Sequence, residues 1–249
     1  MNFIQDFVQN LSYVFYGRHY CLRHRSLLCK QDDQTAATTV CSCTGFGTCQ
    51  PGAAATRIPA FINATNANAI AGTIDATGNL ADDRIWMFSG SIDSVVPPAV
   101  MEALESYYLN FANPSNLSFR KDIAAEHAMP TSSFGNSCAT KGDPFINNCN
   151  FDAAGELLQW IYGPLNPKNM SDLGGTFVEF DQGEFISAPT SHGMWATGWA
   201  YVPASCAAGS SCRVHVVFHG CKQFPCSPFV GGPGGKIADT YVKKTGYNE

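Results

Sequence analysis

The sequence predicts an α/β protein built on a sheet that is mostly parallel at its centre. Short apolar runs rich in β-branched and aromatic residues alternate with helical periodicities, and Gly, Pro or Asp punctuates the joins. RIWMFSG (84–90) is an apolar run ending in Ser-Gly and reads as a buried strand. Pro97 and Pro98 then open a helix whose Val100, Leu104, Tyr107 and Phe111 share one face. NLSFRKDI (116–123) supplies a second strand. Asp152 caps a helix running through Trp160, and Gly163-Pro164 stops it. Three strand candidates follow: TFVEF (176–180), TGWAYV (197–202) and RVHVVFHG (213–220). GGPGG (231–235) breaks the chain before a last helix, KIADTYVKKTG, ended by Gly246. The alternation is expected to begin after Ala81. Residues 1–50 show clustered Arg and His at 18–25 and no clean period. No repeat or long linker divides the chain.

The 249 residues carry 15 Lys+Arg against 20 Asp+Glu, a net charge of −5, which argues against a general nucleic-acid binder. Charged residues make up 14%, well below the average of about 25%, and this excludes a disordered tail or a coiled coil. No run approaches the roughly 18 apolar residues of a membrane span. The 11 cysteines include no CxxC pair, so a zinc ribbon or a thioredoxin-like motif is disfavoured. Cys138/Cys149 and Cys206/Cys212 each close a short polar loop suited to a disulfide in a secreted protein. Asn10, Asn63, Asn116 and Asn169 stand in N-x-[ST] sequons, which fits an extracellular glycoprotein. The odd cysteine count leaves at least one thiol without a partner in the chain. The opening residues lack a basic n-region and carry Asp6 within their apolar stretch, so no signal peptide is visible.

Asp93 lies in FSGSID, directly after the first strand, at the end of a sheet where ligands and catalytic groups gather. Taken alone, an Asp in such a turn more commonly bonds its own backbone. His127 lies in AAEHAMP after the second strand, and a lone loop histidine beside Glu126 is more commonly just exposed. Their order carries more weight. Strand, acid, helix, strand, histidine is how an α/β-hydrolase delivers the last two members of its triad. The carboxylate orients the imidazole, and the imidazole takes and returns the nucleophile's proton. VHVVFHGC (214–221) has the character of an oxyanion loop, with Gly220 allowing the tight turn and Cys221 offering its backbone N–H. A metal site at His219, Cys221 and Cys226 lacks a fourth ligand at a usual spacing. Acid, base and then oxyanion loop implies a circularly permuted fold.

That order and the local sequences resemble the extracellular poly(3-hydroxybutyrate) depolymerases of the single-domain, circularly permuted type. The stretches that carry the resemblance are IWMFSGSIDSVVPPAVM, the His127 loop, GNSC with NNCNFDAAGELLQWIYGPLNP, TGWAYVPASC, RVHVVFHGCKQ and IADTYVKKTGYNE. HYC followed by TTVCSCT extends it back to Tyr20. The resemblance implies a depolymerase-like α/β-hydrolase domain over 20–249, with 1–19 unmatched. It implies that Asp93 and His127 are catalytic and that Cys221 forms the oxyanion hole. The implied reaction is hydrolysis of polyester or small ester substrates through an acyl-serine, with no organic cofactor or metal.

The chain departs from that family at the nucleophile. No G-x-S-x-G occurs, and Ser12 in NLSYV, the one serine before Tyr20, lacks the glycines of a strained elbow. The family pattern also continues into another strand beyond GYNE249. Both missing strands would be interior, leaving unpaired backbone groups at about 1–3 kcal/mol each against a total stability of roughly 5–15 kcal/mol. The expectation is therefore an incomplete hydrolase domain, inactive and poorly stable by itself. The alternative is a non-catalytic secreted protein that binds an apolar or polyester ligand on the same scaffold.

Overall fold

A computed structural model describes residues 42–43, 48–142, 145–167, 174–189 and 196–216. The first strand, β1 (Ile85–Phe88), is buried along its whole length. Strand geometry sends successive side chains to opposite faces, and both faces are covered. Ile85 and Met87 pack against Met101 and Leu104 of α2 (Pro98–Tyr108). Trp86 and Phe88 pack against Ala153 and Leu157 of α3 (Ala153–Tyr162). This helix–strand–helix layering is what a short, uninterrupted apolar run requires. β2 (Leu117–Arg120) pairs with β1 in parallel, from Ile85↔Leu117 to Phe88↔Arg120.

The helix ends follow local chemistry. Pro97 precedes α2 and Pro98 opens it, where a missing N–H costs nothing. Asp152 caps α3 by accepting from the Gly155 amide at 3.2 Å, and Gly163, at φ 83°, ends it. Glu156 of α3 accepts from Trp86 Nε1 at 3.0 Å and pairs with Arg120, joining this helix to both strands.

An unexpected helix precedes these elements. α1 (Ala53–Ile70) buries Ala54, Ile58, Phe61 and Thr65 along one stripe. It packs on α2, and Thr65 Oγ1 lies 2.6 Å from Tyr107 OH. The helical pattern thus starts well before Ala81, contrary to the sequence reading. Its outward face is Ala, Asn and Thr, with Pro59 inside, so the polar contrast that marks an amphipathic helix is weak.

The described strands form three small sheets, where the sequence suggested one. Beside the β1–β2 pair lies a parallel three-stranded sheet of β3 (Met129–Thr131), β4 (Asn136–Ser137) and β5 (Ile146–Asn148), with β5 in the middle. β6 (Thr176–Asp181) and β7 (Thr197–Val202) occupy the expected TFVEF and TGWAYV segments but pair antiparallel. α4 (Ala204–Ala207) follows. Of the strand expected over 213–220, residues 213–216 carry no strand pairing and the remainder lies outside the described residues. The last expected helix and the segment 1–19 also lie outside them. Both expected disulfides are formed, and Cys43–Cys49 is a third. Among the described residues no helix is long and apolar enough to cross a membrane.

Candidate active site

Parallel pairing of β1 and β2 sends both following loops to the same rim. Backbone contacts continue past the strands: the Ser89 amide donates to Arg120 O at 2.9 Å and the Ser91 amide to Ile123 O at 2.8 Å. The two loops then touch at Gly90. A Cβ there would sit 2.0 Å from Ala125 O, so only glycine permits this approach. Asp93 is placed by a tight turn, its amide donating to Gly90 O at 3.0 Å.

Asp93 and His127 meet across this junction. His127 Nδ1 lies 2.9 Å from Asp93 Oδ2. An ionised carboxylate only accepts, so Nδ1 carries the proton and Nε2 is the basic nitrogen. Asp93 Oδ1 accepts from the Val95 and Val96 amides, both at 2.8 Å. Both residues are nearly closed to solvent, at 4% and 9% exposure, and fully buried Ala125 and nearly buried Ala128 flank the histidine. A low local dielectric strengthens such a charge-assisted contact. Phe145 presents its ring edge-on to the imidazole, 6.2 Å between centroids.

Glu126, given no role in the sequence reading, is tied into the site. Its Oε2 accepts from the His127 amide at 2.9 Å and the Ser94 amide at 3.1 Å. Burial pushes its carboxyl upward. Hydrogen bonds from the Ser94 hydroxyl and from those two amides, together with the Lys141 ammonium, outweigh burial and hold it below its ordinary value. Lys141 Nζ donates to Ser94 Oγ at 2.9 Å. The Cys43 amide donates to Val95 O at 2.7 Å and brings the Cys43–Cys49 disulfide against the acid-bearing loop. No sequence signal short of spatial contact marks Glu126 or Cys43.

Cys221, expected to supply the oxyanion amide, lies outside the described residues, as do Ser12, His219 and Cys226. Among the described residues no group of three or more His, Cys, Asp or Glu side chains could hold a metal ion.

No protein-family model matches the chain. The chain is 46% identical over 205 residues to a poly(3-hydroxybutyrate) depolymerase from Delftia acidovorans, covering 81% of this chain and 39% of that protein. It is 39% identical over 180 residues to a polyhydroxybutyrate depolymerase from Talaromyces funiculosus, covering 71% of this chain and 50% of the relative. It therefore spans half or less of the length of these curated relatives. Among solved structures, the PHB depolymerase from Penicillium funiculosum superposes with a TM-score of 0.71 at 30% identity, over 98% of this chain and 71% of that one. A PHB depolymerase with a serine-to-alanine substitution, complexed with an R3HB trimer, gives 0.69 at 33% identity, over 87% and 62%. Sequence and α/β-hydrolase-like architecture agree: the chain belongs to the polyhydroxybutyrate depolymerase family.

Proposed function

We propose that the chain provides the acid, the base and part of the oxyanion hole of a serine-type ester hydrolase acting on short-chain polyester. The observation that carries this reading is the buried Asp93–His127 hydrogen bond at the rim of a parallel strand pair. With Nδ1 held by Asp93, His127 Nε2 accepts the proton of an attacking serine hydroxyl. The Asp93 carboxylate stabilises the resulting imidazolium. The imidazolium then returns the proton to the departing alkoxide, and water repeats the cycle on the acyl-serine. In this reading the Cys221 amide faces the oxyanion.

Two relatives are named for polyhydroxybutyrate, and one solved relative holds an R3HB trimer. Oligomers of 3-hydroxybutyrate are accordingly the substrate class proposed. The order Asp93, His127, Cys221 supports a circularly permuted hydrolase domain over 20–249. Because the 249 residues contain no G-x-S-x-G, the proposal assigns the nucleophile to a segment outside them and no turnover to this chain alone. Three disulfides support an extracellular location. Asn63 stands exposed on α1, a fitting glycan acceptor, whereas the Asn116 side chain is held to Ala81 O.

The test joins to this chain the segment that precedes the matched region in the Delftia acidovorans relative. The joined protein should react with a serine-directed fluorophosphonate and cleave an R3HB trimer, and His127→Ala should abolish both. Persistent cleavage in His127→Ala would overturn the assignment. A folded joined protein that binds the trimer without labelling or cleavage would favour the non-catalytic binding reading.

A further inference from the structure

We infer that Glu126 is a positioning residue that locks the acid loop to the histidine loop through one carboxylate oxygen. This deepens the reading above and rests on it. Three consecutive amides, those of Ser94, Val95 and Val96, follow Asp93. Asp93 itself binds the second and third. The first donates to Glu126 Oε2, which comes from the other loop and also receives the His127 amide. One oxygen thus fixes the backbone on both sides of the Asp93–His127 contact. What the bridge requires is one acceptor oxygen within reach of both amides, and the length of the Glu126 side chain supplies that reach.

Two further contacts hold Glu126 in place. Its own amide donates to Cys138 O at 2.9 Å, and Cys138 is fixed by its disulfide to Cys149. Lys141, from the same loop, donates to Ser94 Oγ, and the Ser94 hydroxyl in turn bonds Glu126. The connection from the Cys138–Cys149 loop to the acid loop therefore runs through Glu126 and Lys141, which converge on Ser94, the residue after Asp93. Glu126 bonds the backbone amide of His127 rather than its ring, so its effect on proton transfer passes through the orientation of that ring.

The experiment follows the His127 Nδ1 proton by NMR, together with the thermal midpoint, in the parent chain and three variants. Glu126→Gln keeps an acceptor oxygen at the same reach. Glu126→Asp keeps the charge but is one methylene short of bridging both amides. Glu126→Ala removes both. Exchange of the Nδ1 proton with water is expected to rise by about tenfold or more in Glu126→Ala and Glu126→Asp, through loss of a bridging hydrogen bond, and to stay near parental in Glu126→Gln. Parental exchange in Glu126→Asp would overturn it. So would loss of protection in Glu126→Gln, because charge rather than bridging would then be the operative property. If Glu126→Ala does not fold, the Asp and Gln pair still decides. Absence of a protected Nδ1 proton in the parent would instead defeat the Asp93–His127 reading, which keeps the two failures distinct.

Discussion

Replacing Asp93 separates the two things its carboxylate does. Asp93→Ala strands three donors at a position only 4% exposed: the Val95 and Val96 amides and the His127 Nδ1 proton. An unsatisfied buried donor costs about 1–3 kcal/mol. Allowing one of the three to be recovered by local relaxation, the loss is roughly 2–6 kcal/mol, a large part of a domain's total of about 5–15 kcal/mol. Asp93→Asn behaves differently. Its carbonyl oxygen still accepts from both amides, so only the charge and the imidazole contact change, and the expected loss is about 1–2 kcal/mol. The amide nitrogen now donates toward Nδ1, which drives the imidazole proton to Nε2 and removes its basic site.

Urea unfolding of both variants checks the first part, and 15N NMR of the imidazole reads the tautomer without any need for turnover. In a protein that also carries the nucleophile, Asp93→Asn should lower kcat by about 10⁴, the size of the same exchange in a Ser-His-Asp site. Two results would refute the reasoning. Asp93→Ala unfolding within about 0.5 kcal/mol of the parent would mean that the three bonds do not hold the loop. An Nδ1-protonated imidazole in Asp93→Asn would mean that the carboxylate does not select the tautomer.

Gly90→Ala should be destabilising by about 1–3 kcal/mol, because the new methyl meets the Ala125 backbone at 2.0 Å and the two loops must part; unfolding midpoints and faster exchange of the His127 Nδ1 proton would report it. Removing the Cys138–Cys149 bridge with serine at both positions should lower stability by roughly 2–3 kcal/mol, given its separation of 11 residues, measurable by denaturant unfolding. His215 sits half-buried with Nδ1 3.0 Å from Tyr162 OH, and burial lowers its pKa below 6.5. The unfolded chain therefore binds the proton first on acidification. This contribution to stability is complete above about pH 6.5 and is lost as pH falls through the folded value. His215→Gln should flatten that part of the unfolding-midpoint profile, and an unchanged slope would exclude His215 as its source.

Elements with a strong local signature were legible in the sequence. β1 read as a strand because four adjacent apolar side chains face two helices, and α3 read as a helix because Asp152 and Gly163 mark its ends. The hairpin strands were found but not their direction, since pairing of residues about 20 apart is set by contacts that no local window contains. β3, β4 and β5 escaped notice because three-, two- and three-residue strands holding Pro130, Asn136 and Asn148 have no period to detect. The acid and the base were legible from their order relative to two strands. Glu126 was not, because its meaning depends on Ser94, 32 residues away in sequence.

The geometry of the Asp93–His127 pair follows from one topological choice. In parallel register Phe88 and Arg120 end their strands side by side, so Asp93, five residues on, and His127, seven residues on, start from the same level. Had the four-residue strands run antiparallel, the two loops would have left from opposite ends, about 13 Å apart at roughly 3.3 Å per residue. Short excursions of five and seven residues would then have to wrap the sheet before meeting. With parallel strands they need only turn inward, and Gly90 against Ala125 lets them do so at backbone contact. The residues that enforce this choice are those of β1 itself: a strand apolar on both faces demands a helix on each side, and covering helices are what parallel crossover connections supply. The same side chains that bury the strand therefore also bring the carboxylate to the imidazole, and a polar replacement at Trp86 or Met87 should weaken the site through the fold, without touching either partner.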